Sequence, residues 1–362
     1  MLNWLQKRLG RMAHEVTPAP SETPRPNAVD VNALLSIVGK DSQPNLNALR
    51  QIANMIEPLS FNVKQMGYQL ARQLAAALPV PEHTEARHVG VSSSLSTQAA
   101  IESDWAAHWC RELQIPVVFH RKVWELCFTL QTLYDNGLIR PGARGLGFGC
   151  GAEPLPSYFA GHGLDVTVTD LPHADAAAAG WVDTGQHAGG LETTFLPHLV
   201  DRAAFDRHVA LRFVDMNHVP EDLRGYDFCW SICALEHLGS IEAGLTFIER
   251  SLDTLRPGGI SVHTTEYNIR NDGPTIDNWP SVAFQRKHIE ELIRRLEAGG
   301  HRVRPLDLNL GDKPLDRFVD VPPYHHNLPD EIGAWLGSPS HLKLAMDGLV
   351  VTCIGLIVEK AA

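Results

Sequence analysis

The stretch from Gly145 to Asp170, GLGFGCGAEPLPSYFAGHGLDVTVTD, constrains this chain more than any other: a glycine-rich turn, a short helix, and a β-branched strand ending in an acid. Glycines in such a turn let backbone approach a ligand where a Cβ would collide. An acid roughly 20 residues on accepts hydrogen bonds from ribose hydroxyls. The unit is therefore suited to a nucleoside, with Asp170 as the ribose acid. Two glycine spacings coexist, Gly147-x-Gly149-x-x-Ala152 and Gly149-x-Gly151, and the motif alone leaves open which nucleoside-bearing ligand it takes.

From about Arg144 onward, strand and helix patterns alternate, which reads as a doubly wound α/β sheet. Seven strands are expected, at RGLGFG, VTVTD, LRFVD, YDFCWSI, GGISVHTT, VRPLDLN and LVVTCIGLIVE. The last two lack a crossover helix between them, so an antiparallel terminal pair carrying a lid-like insertion at 312–347 is expected. Upstream, LNALRQIANMIEPL and VKQMGYQLARQLAAAL space their apolar residues by three and four, predicting two amphipathic helices. Polar HVGVSSSLST separates these from helical runs through DWAAHWCRELQ and RKVWELCFTLQTLYDNG, the latter stopping at Asn136-Gly137. The expected organisation is a terminal helix and Pro-rich linker over 1–27, a helical N-terminal module over 28–139, and an α/β domain over 140–362.

At 362 residues and 44% hydrophobic composition the chain buries at least one full core, and its formal charge of −11 argues against broad binding to nucleic-acid phosphates. No apolar run approaches the ~20 residues of a membrane span. The six cysteines, Cys110, Cys127, Cys150, Cys229, Cys233 and Cys353, show no CxxC pair and are read as buried free thiols of a cytoplasmic protein. The start, MLNWLQKRLGRMAHEV, lacks the continuous apolar segment of a signal peptide and is read as a terminal helix.

Taken in order, Gly149-x-Gly151, Asp170, Val214-Asp215-Met216-Asn217, Tyr226-Asp227-Phe228 through Ala234-Leu235-Glu236-His237, and Leu255-Arg256-Pro257-Gly258-Gly259 resemble the motif series of class I S-adenosylmethionine (SAM)-dependent methyltransferases acting on small molecules. The resemblance spans roughly residues 140–360. It implies a Rossmann-like methyltransferase sheet and SAM as cofactor. It also implies a donor site in which Gly147, Gly149 and Gly151 form the turn, Asp170 holds the ribose, Asp215 meets the adenine amine, and Met216 lies beside the ring. Two positions depart from the family: Gly147 stands where an acid is usual, and Glu153 where a further glycine is usual. Glu153 is read either as a ligand of the donor's amino group or as a helix cap. A nicotinamide-dependent (NAD) oxidoreductase and a non-catalytic SAM-binding assembly subunit are the alternatives from other classes.

Methyl transfer is an in-line displacement at a sulfonium methyl, for which the protein chiefly supplies alignment. A hydroxyl acceptor further needs a base or a metal. His237, just after the fourth strand at the carboxyl edge where ligands bind, is the expected base, with Glu236 orienting it or contacting the donor. A structural hydrogen bond at a helix start is the alternative for His237. Glu266, Tyr267 and Asn268 at the end of the fifth strand combine carboxylate, aromatic face and amide, the set that recognises a polyol, so O-methylation of a sugar or glycan hydroxyl is expected. A polar loop satisfying its own backbone is the alternative there. His187, in the segment after Asp170, and His325, in the 312–347 insertion, are further expected acceptor contacts. No metal is expected: adjacent histidines point in different directions on most backbones, so His325-His326 would need Asp and Glu ligands from the sheet edge to complete a site. Arg121 and Lys122 are read as a solvated basic turn, or else as contacts to an anionic part of acceptor or donor. N-methylation is the rival within the family, although Ser231-Ile232-Cys233-Ala234 lacks the Asn/Asp-Pro-Pro-aromatic signature of many amino-group methyltransferases. The N-terminal helices are expected to cover the acceptor site or to join copies of the chain.

Overall fold

A computed structural model describes residues 43–79, 85–172 and 190–362. The expected terminal helix and linker over 1–27 lie outside them. Helix α1 (Leu46–Ala76), β1 (Ser93–Leu95), α2 (Gln98–Ile101), α3 (Asp104–Glu112) and α4 (Arg121–Asp135) precede the first parallel strand, β2 (Arg144–Phe148). There follow α5 (Leu155–Gly161), β3 (Asp165–Asp170), α6 (Arg202–His208), β4 (Val209–Phe213), β5 (Tyr226–Ile232), α7 (Ile241–Ser251), β6 (Leu255–Asn268) and α8 (Arg286–Ala298). The chain ends with β7 (Arg302–Val303), β8 (Leu306–Asp307), β9 (Val319–Asp320), α9 (Asp330–Leu336), β10 (Lys343–Met346) and β11 (Leu349–Glu359).

The strands form one sheet whose main path is β4-β3-β2-β5-β6-β11-β1-β8. Strands β2 to β6 are mutually parallel and β11 lies antiparallel to β6. Helices cover both faces. Trp109, Trp124, Phe128, Phe159 and Phe205 pack one side, and Leu245, Phe247, Ile289 and Leu292 the other. A strand covered on both faces loses its alternation, as β5 does by burying every residue of YDFCWSI.

The doubly wound α/β expectation holds, with eleven strands among the described residues rather than seven. One expected strand, VRPLDLN, is split into β7 and β8 around Arg304-Pro305, since proline has no N–H to give a ladder. Strand β7 pairs antiparallel with β11, and β8 pairs in parallel with β1. The polar HVGVSSSLST stretch supplies β1, and the 312–347 insertion supplies β9 and β10. The region before residue 140 is thus built into the sheet through β1, which pairs with β11.

Helix α4 shapes the site. Residues Arg121 through Leu133 are all buried, as expected of a helix packed on every side. It lies close to β11 because Gly355 has no side chain: a Cβ there would stand 2.3 Å from the Phe128 ring. Its start is capped by His120, whose Nδ1 accepts the Lys122 N–H at 3.0 Å. Helix α1 is one element of 31 residues running through Pro58, where two helices were expected. Contacts beyond the proline hold its second half straight onto the insertion. Ser60 donates to the Pro322 carbonyl at 2.6 Å, Lys64 and Tyr68 donate to Asp320, and Arg72 donates to the Leu336 carbonyl.

All six cysteines are buried and unbridged. Among the described residues no helix is long and apolar enough to cross a membrane.

Candidate active site

Strands β2, β3 and β4 end side by side, and the turn after β2 lies across them. Gly149 (φ 58°) and Gly151 (φ 54°) occupy the left-handed region that favours glycine. Gly149 packs so tightly that a Cβ would meet the Ala234 Cβ at 2.8 Å and the Met216 sulfur at 3.4 Å. The turn after β2 therefore touches both the segment after β4 and the segment after β5. Gly147 does a different job: a Cβ there would collide with Cys150 and the Trp230 indole, so this glycine serves packing rather than ligand approach.

Asp170, at the end of β3, accepts the Gly151 N–H at 3.2 Å and the Leu171 N–H at 2.8 Å. Its carboxylate thus fixes the turn. Asp215 caps the short 3-10 turn after β4, accepting from the Asn217 N–H and from His218 Nδ1. Met216 is buried against Gly149. Glu153 is fully buried and its carboxylate accepts the Trp230 indole N–H. No side-chain cap bond is made at the start of α5. The positions expected to hold the donor are thereby brought to one edge of the sheet.

Beside them, at the ends of β5 and β6, lies a buried charged cluster. Glu236 is 0% exposed. Thr265 Oγ1 donates to its Oε2 at 3.1 Å, while Oε1 has no hydrogen-bond partner among the described residues. Burial, reinforced by the neighbouring Glu266, pushes Glu236 up to about 7. Glu266 pairs through Oε1 with Arg121, and its Oε2 has no hydrogen-bond partner among the described residues. Ligand atoms of Cys233, Glu236 and Glu266 all lie within 4.8 Å of one another.

The next layer orders these carboxylates. Lys122 Nζ sits 3.3 Å from Glu125, and Glu125 also accepts from Thr264 at 2.7 Å and from the Cys353 thiol at 3.0 Å. Burial alone would raise Glu125, but Lys122 and then Arg121 hold it below the usual carboxylate range. Burial drives Cys233 far above the ordinary thiol range, so it stays neutral, 3.4 Å from the Cys353 sulfur. Burial likewise drives His120 well down, with His341, Arg121 and Lys122 adding to the effect. A neutral His120 whose Nδ1 accepts carries its proton on Nε2, and that buried nitrogen has no partner among the described residues. With Glu236 protonated, the cations Arg121 and Lys122 balance Glu125 and Glu266. The donor set near Cys233 resembles what a divalent cation would need, but Arg121 and Lys122 already fill the counter-ion role.

The insertion is anchored through Asp320. Its carboxylate accepts from Lys64 at 2.7 Å, Tyr68 at 2.8 Å and His341 at 2.8 Å. The His341 carbonyl in turn accepts the Arg121 N–H at 3.0 Å. Burial would raise Asp320, yet the His341 and Lys64 contacts outweigh it and hold the acid down at about 2.

Other expected contacts are placed elsewhere. His237 is partly exposed and donates through Nδ1 to the Pro280 carbonyl at 3.0 Å. Tyr267 packs into the core beneath α7 and α8, with its hydroxyl on Asn271 at 2.9 Å. Asn268 donates to Pro274 and Thr275 and accepts the Arg270 N–H, satisfying its own loop. His325 donates to the Gly333 carbonyl at 3.2 Å and so pins α9. His187 lies outside the described residues.

The solvated-turn reading of Arg121 and Lys122 is corrected: they are 2% and 5% exposed and stand against Glu266 and Glu125. Glu125, Thr264, Thr265 and Cys233 join the cluster without having been singled out. One sequence signal pointed there. The run VWELCFTLQTLY carries a single charged residue, Glu125, among mostly apolar neighbours, so charges in the first turn of a buried helix call for partners.

No protein-family model and no curated protein matches the chain. Among solved structures, it is similar to a protein from Galdieria sulphuraria described as a sarcosine dimethylglycine methyltransferase, at 14% identity and TM-score 0.40, over 72% of this chain and 99% of that one. It is similar to a Haemonchus contortus phosphoethanolamine N-methyltransferase at 15% identity and TM-score 0.38, over 65% of this chain and 52% of that one. It is also similar to the cyclase SpnF at 15% identity and TM-score 0.41, over 75% of this chain and 99% of that one. The chain's own strand order, with five parallel strands and antiparallel β11 beside them, and its glycine turn closed on Asp170, give it a Rossmann-like α/β fold, as the sequence resemblance implies.

Proposed function

We propose that the protein transfers the methyl group of SAM to a hydroxyl of a small polar acceptor, of the sugar or polyol kind. The glycine turn, Asp170, Asp215 and Met216 hold the donor, with the sulfonium near Ala234. Glu236 takes the proton from the acceptor hydroxyl, in place of the His237 expected from sequence. The observation that carries this reading is the Glu236 carboxyl itself: fully buried, anchored through one oxygen by Thr265, with the other unpartnered and its pKa raised to about 7. A base poised near the working pH is suited to a poor oxygen nucleophile. His237 is better explained as a clamp that fastens the turn after β5 to Pro280. Six buried thiols suit work in the reducing cytoplasm.

Calorimetric titration with SAM, S-adenosylhomocysteine and NAD(H), in one buffer and with a chelator control, tests the donor assignment. Binding of the adenosyl ligands, lost in Asp170→Ala, is the expected result. Binding of NAD(H) with none of SAM would replace the reading with an oxidoreductase. Donor binding with no transfer to any acceptor would point to a non-catalytic subunit.

A further inference from the structure

Resting on the hydroxyl-methylation reading above, we propose that the acceptor is a vicinal diol and that Glu266 selects it by holding the hydroxyl adjacent to the one Glu236 deprotonates. The paired arrangement of the two acids carries the proposal. Each is buried, at 0% and 3% exposure, and each keeps one carboxylate oxygen without a hydrogen-bond partner. Thr265 holds Glu236 and Arg121 holds Glu266, so both carboxyl groups are fixed in place. A carboxylate oxygen of one lies within 4.8 Å of one of the other, a separation that two neighbouring hydroxyls on one carbon chain can bridge. Leaving two acceptor oxygens buried and unpartnered is costly, which favours a ligand that supplies two donors at once.

His120, at the start of the helix that carries Arg121, points to hydroxyls as the donors. Its Nε2 proton is buried without a partner among the described residues, and a hydroxyl oxygen can accept it where an ammonium cannot. The Cys233 thiol, neutral and close by, makes no demand for charge.

The step balances without a further reactant. The reacting hydroxyl gives its proton to Glu236 as its oxygen bonds to the donor methyl carbon. The carbon–sulfur bond breaks with its electron pair left on sulfur, giving neutral S-adenosylhomocysteine. Glu236 then returns its proton to solvent.

The test uses the full chain, radiolabelled SAM, and a defined set of probes. These are the methyl glycosides of glucose, galactose and mannose, their monodeoxy analogues, cyclohexanol, and hexylamine, each with and without EDTA. The expected result is transfer to at least one glycoside. Removal of a hydroxyl next to the methylated one should lower kcat/KM at least ~100-fold, since a buried site built for a hydroxyl discriminates strongly against its loss. Glu266→Gln, which keeps the side-chain shape, should erase most of that difference while leaving SAM affinity within about twofold. The deoxy series on the unaltered protein decides the matter even where the variant folds poorly. Equal transfer to a glycoside and its adjacent deoxy analogue, or transfer to cyclohexanol or hexylamine at comparable rates, overturns the proposal. So does the absence of transfer to any glycoside by protein that binds SAM. Loss of transfer in EDTA, restored by a divalent cation, overturns it by making the acids metal ligands. Failure to bind SAM at all brings down the methyltransferase reading first.

Discussion

Glu236 and Glu266 lie with a carboxylate oxygen of each within 4.8 Å of the other, both buried and each held by a different partner. Burial raises Glu236 to about 7, and Glu266, itself paired with Arg121, adds to the rise. Under the proposed function, this asymmetry between two neighbouring acids assigns one as proton acceptor and the other as holding group.

Glu236 must be ionised to accept a proton, so kcat should climb as pH rises through about 7 and level off above it. Glu236→Gln should lower kcat about 100- to 10,000-fold and remove this limb from the pH–rate profile, with SAM affinity little changed. Rate measurements from pH 5.5 to 9 in both proteins check this; a retained limb in the variant assigns the proton transfer to another group.

The same acid leaves a mark on stability. The folded chain keeps the Glu236 proton up to about pH 7, whereas an unfolded glutamate loses it near 4.3. Between these values the folded state binds the extra proton, so this contribution is full below about 4.3 and is lost as pH rises through about 7. Glu236→Gln removes the burial of a charge at high pH and should stabilise the protein at pH 8 by up to about 3 kcal/mol, with no gain at pH 4. Urea unfolding at the two pH values reads the difference.

Two glycines of one turn should respond differently. Gly147→Ala places a Cβ against Cys150 and Trp230, an overpacking that costs about 1–3 kcal/mol. Gly149→Ala puts a side chain into the left-handed region and onto Ala234 where the donor must pass, so SAM affinity should fall at least ~10-fold. Thermal unfolding and calorimetry, run on both variants, separate the effects; equal loss of SAM affinity in both would remove the distinction between packing and ligand approach.

Asp320→Asn keeps the shape of the insertion's anchor but leaves Lys64, which is 0% exposed, beside a neutral group. Uncovering one half of a buried ion pair costs about 3–5 kcal/mol, and the variant should unfold correspondingly more easily at pH 7. Because the acid is held down at about 2 in the folded chain, the stabilisation it lends is present above an unfolded aspartate's range near 3.9 and disappears as pH falls through about 2. Limited proteolysis should show faster cleavage within 312–347 in the variant; unchanged stability and cleavage would deny Asp320 its anchoring role.

Much of the architecture was readable along the chain because it rests on local pattern. Alternating strand and helix periods, the glycine turn followed by Asp170, and the crossover-free link before β11 each depend on neighbours a few residues apart. They placed the parallel strands and one ligand-binding edge. The polar β1 and the two-residue β9 were not readable, because such short strands owe their conformation to the edges they pair with rather than to propensity. Helix α1 runs through Pro58 for a similar reason, since the insertion that holds its second half is more than 250 residues away.

What the linear order determined about this protein was the sheet, the glycine turn with Asp170 at its edge, and the presence of acids just beyond β5 and near the end of β6. What only tertiary structure decided was which of those acids share a space. Glu266 and Asn268 look alike as members of a polar strand end, yet one is turned onto Arg121 of α4 and the other is consumed by its own loop. Glu236 and His237 are adjacent, yet one is sealed inside and the other tied to Pro280. The physical reason is that desolvation and charge pairing act through distance in space, and the partners of Glu236 and Glu266 lie 29 and 145 residues away along the chain.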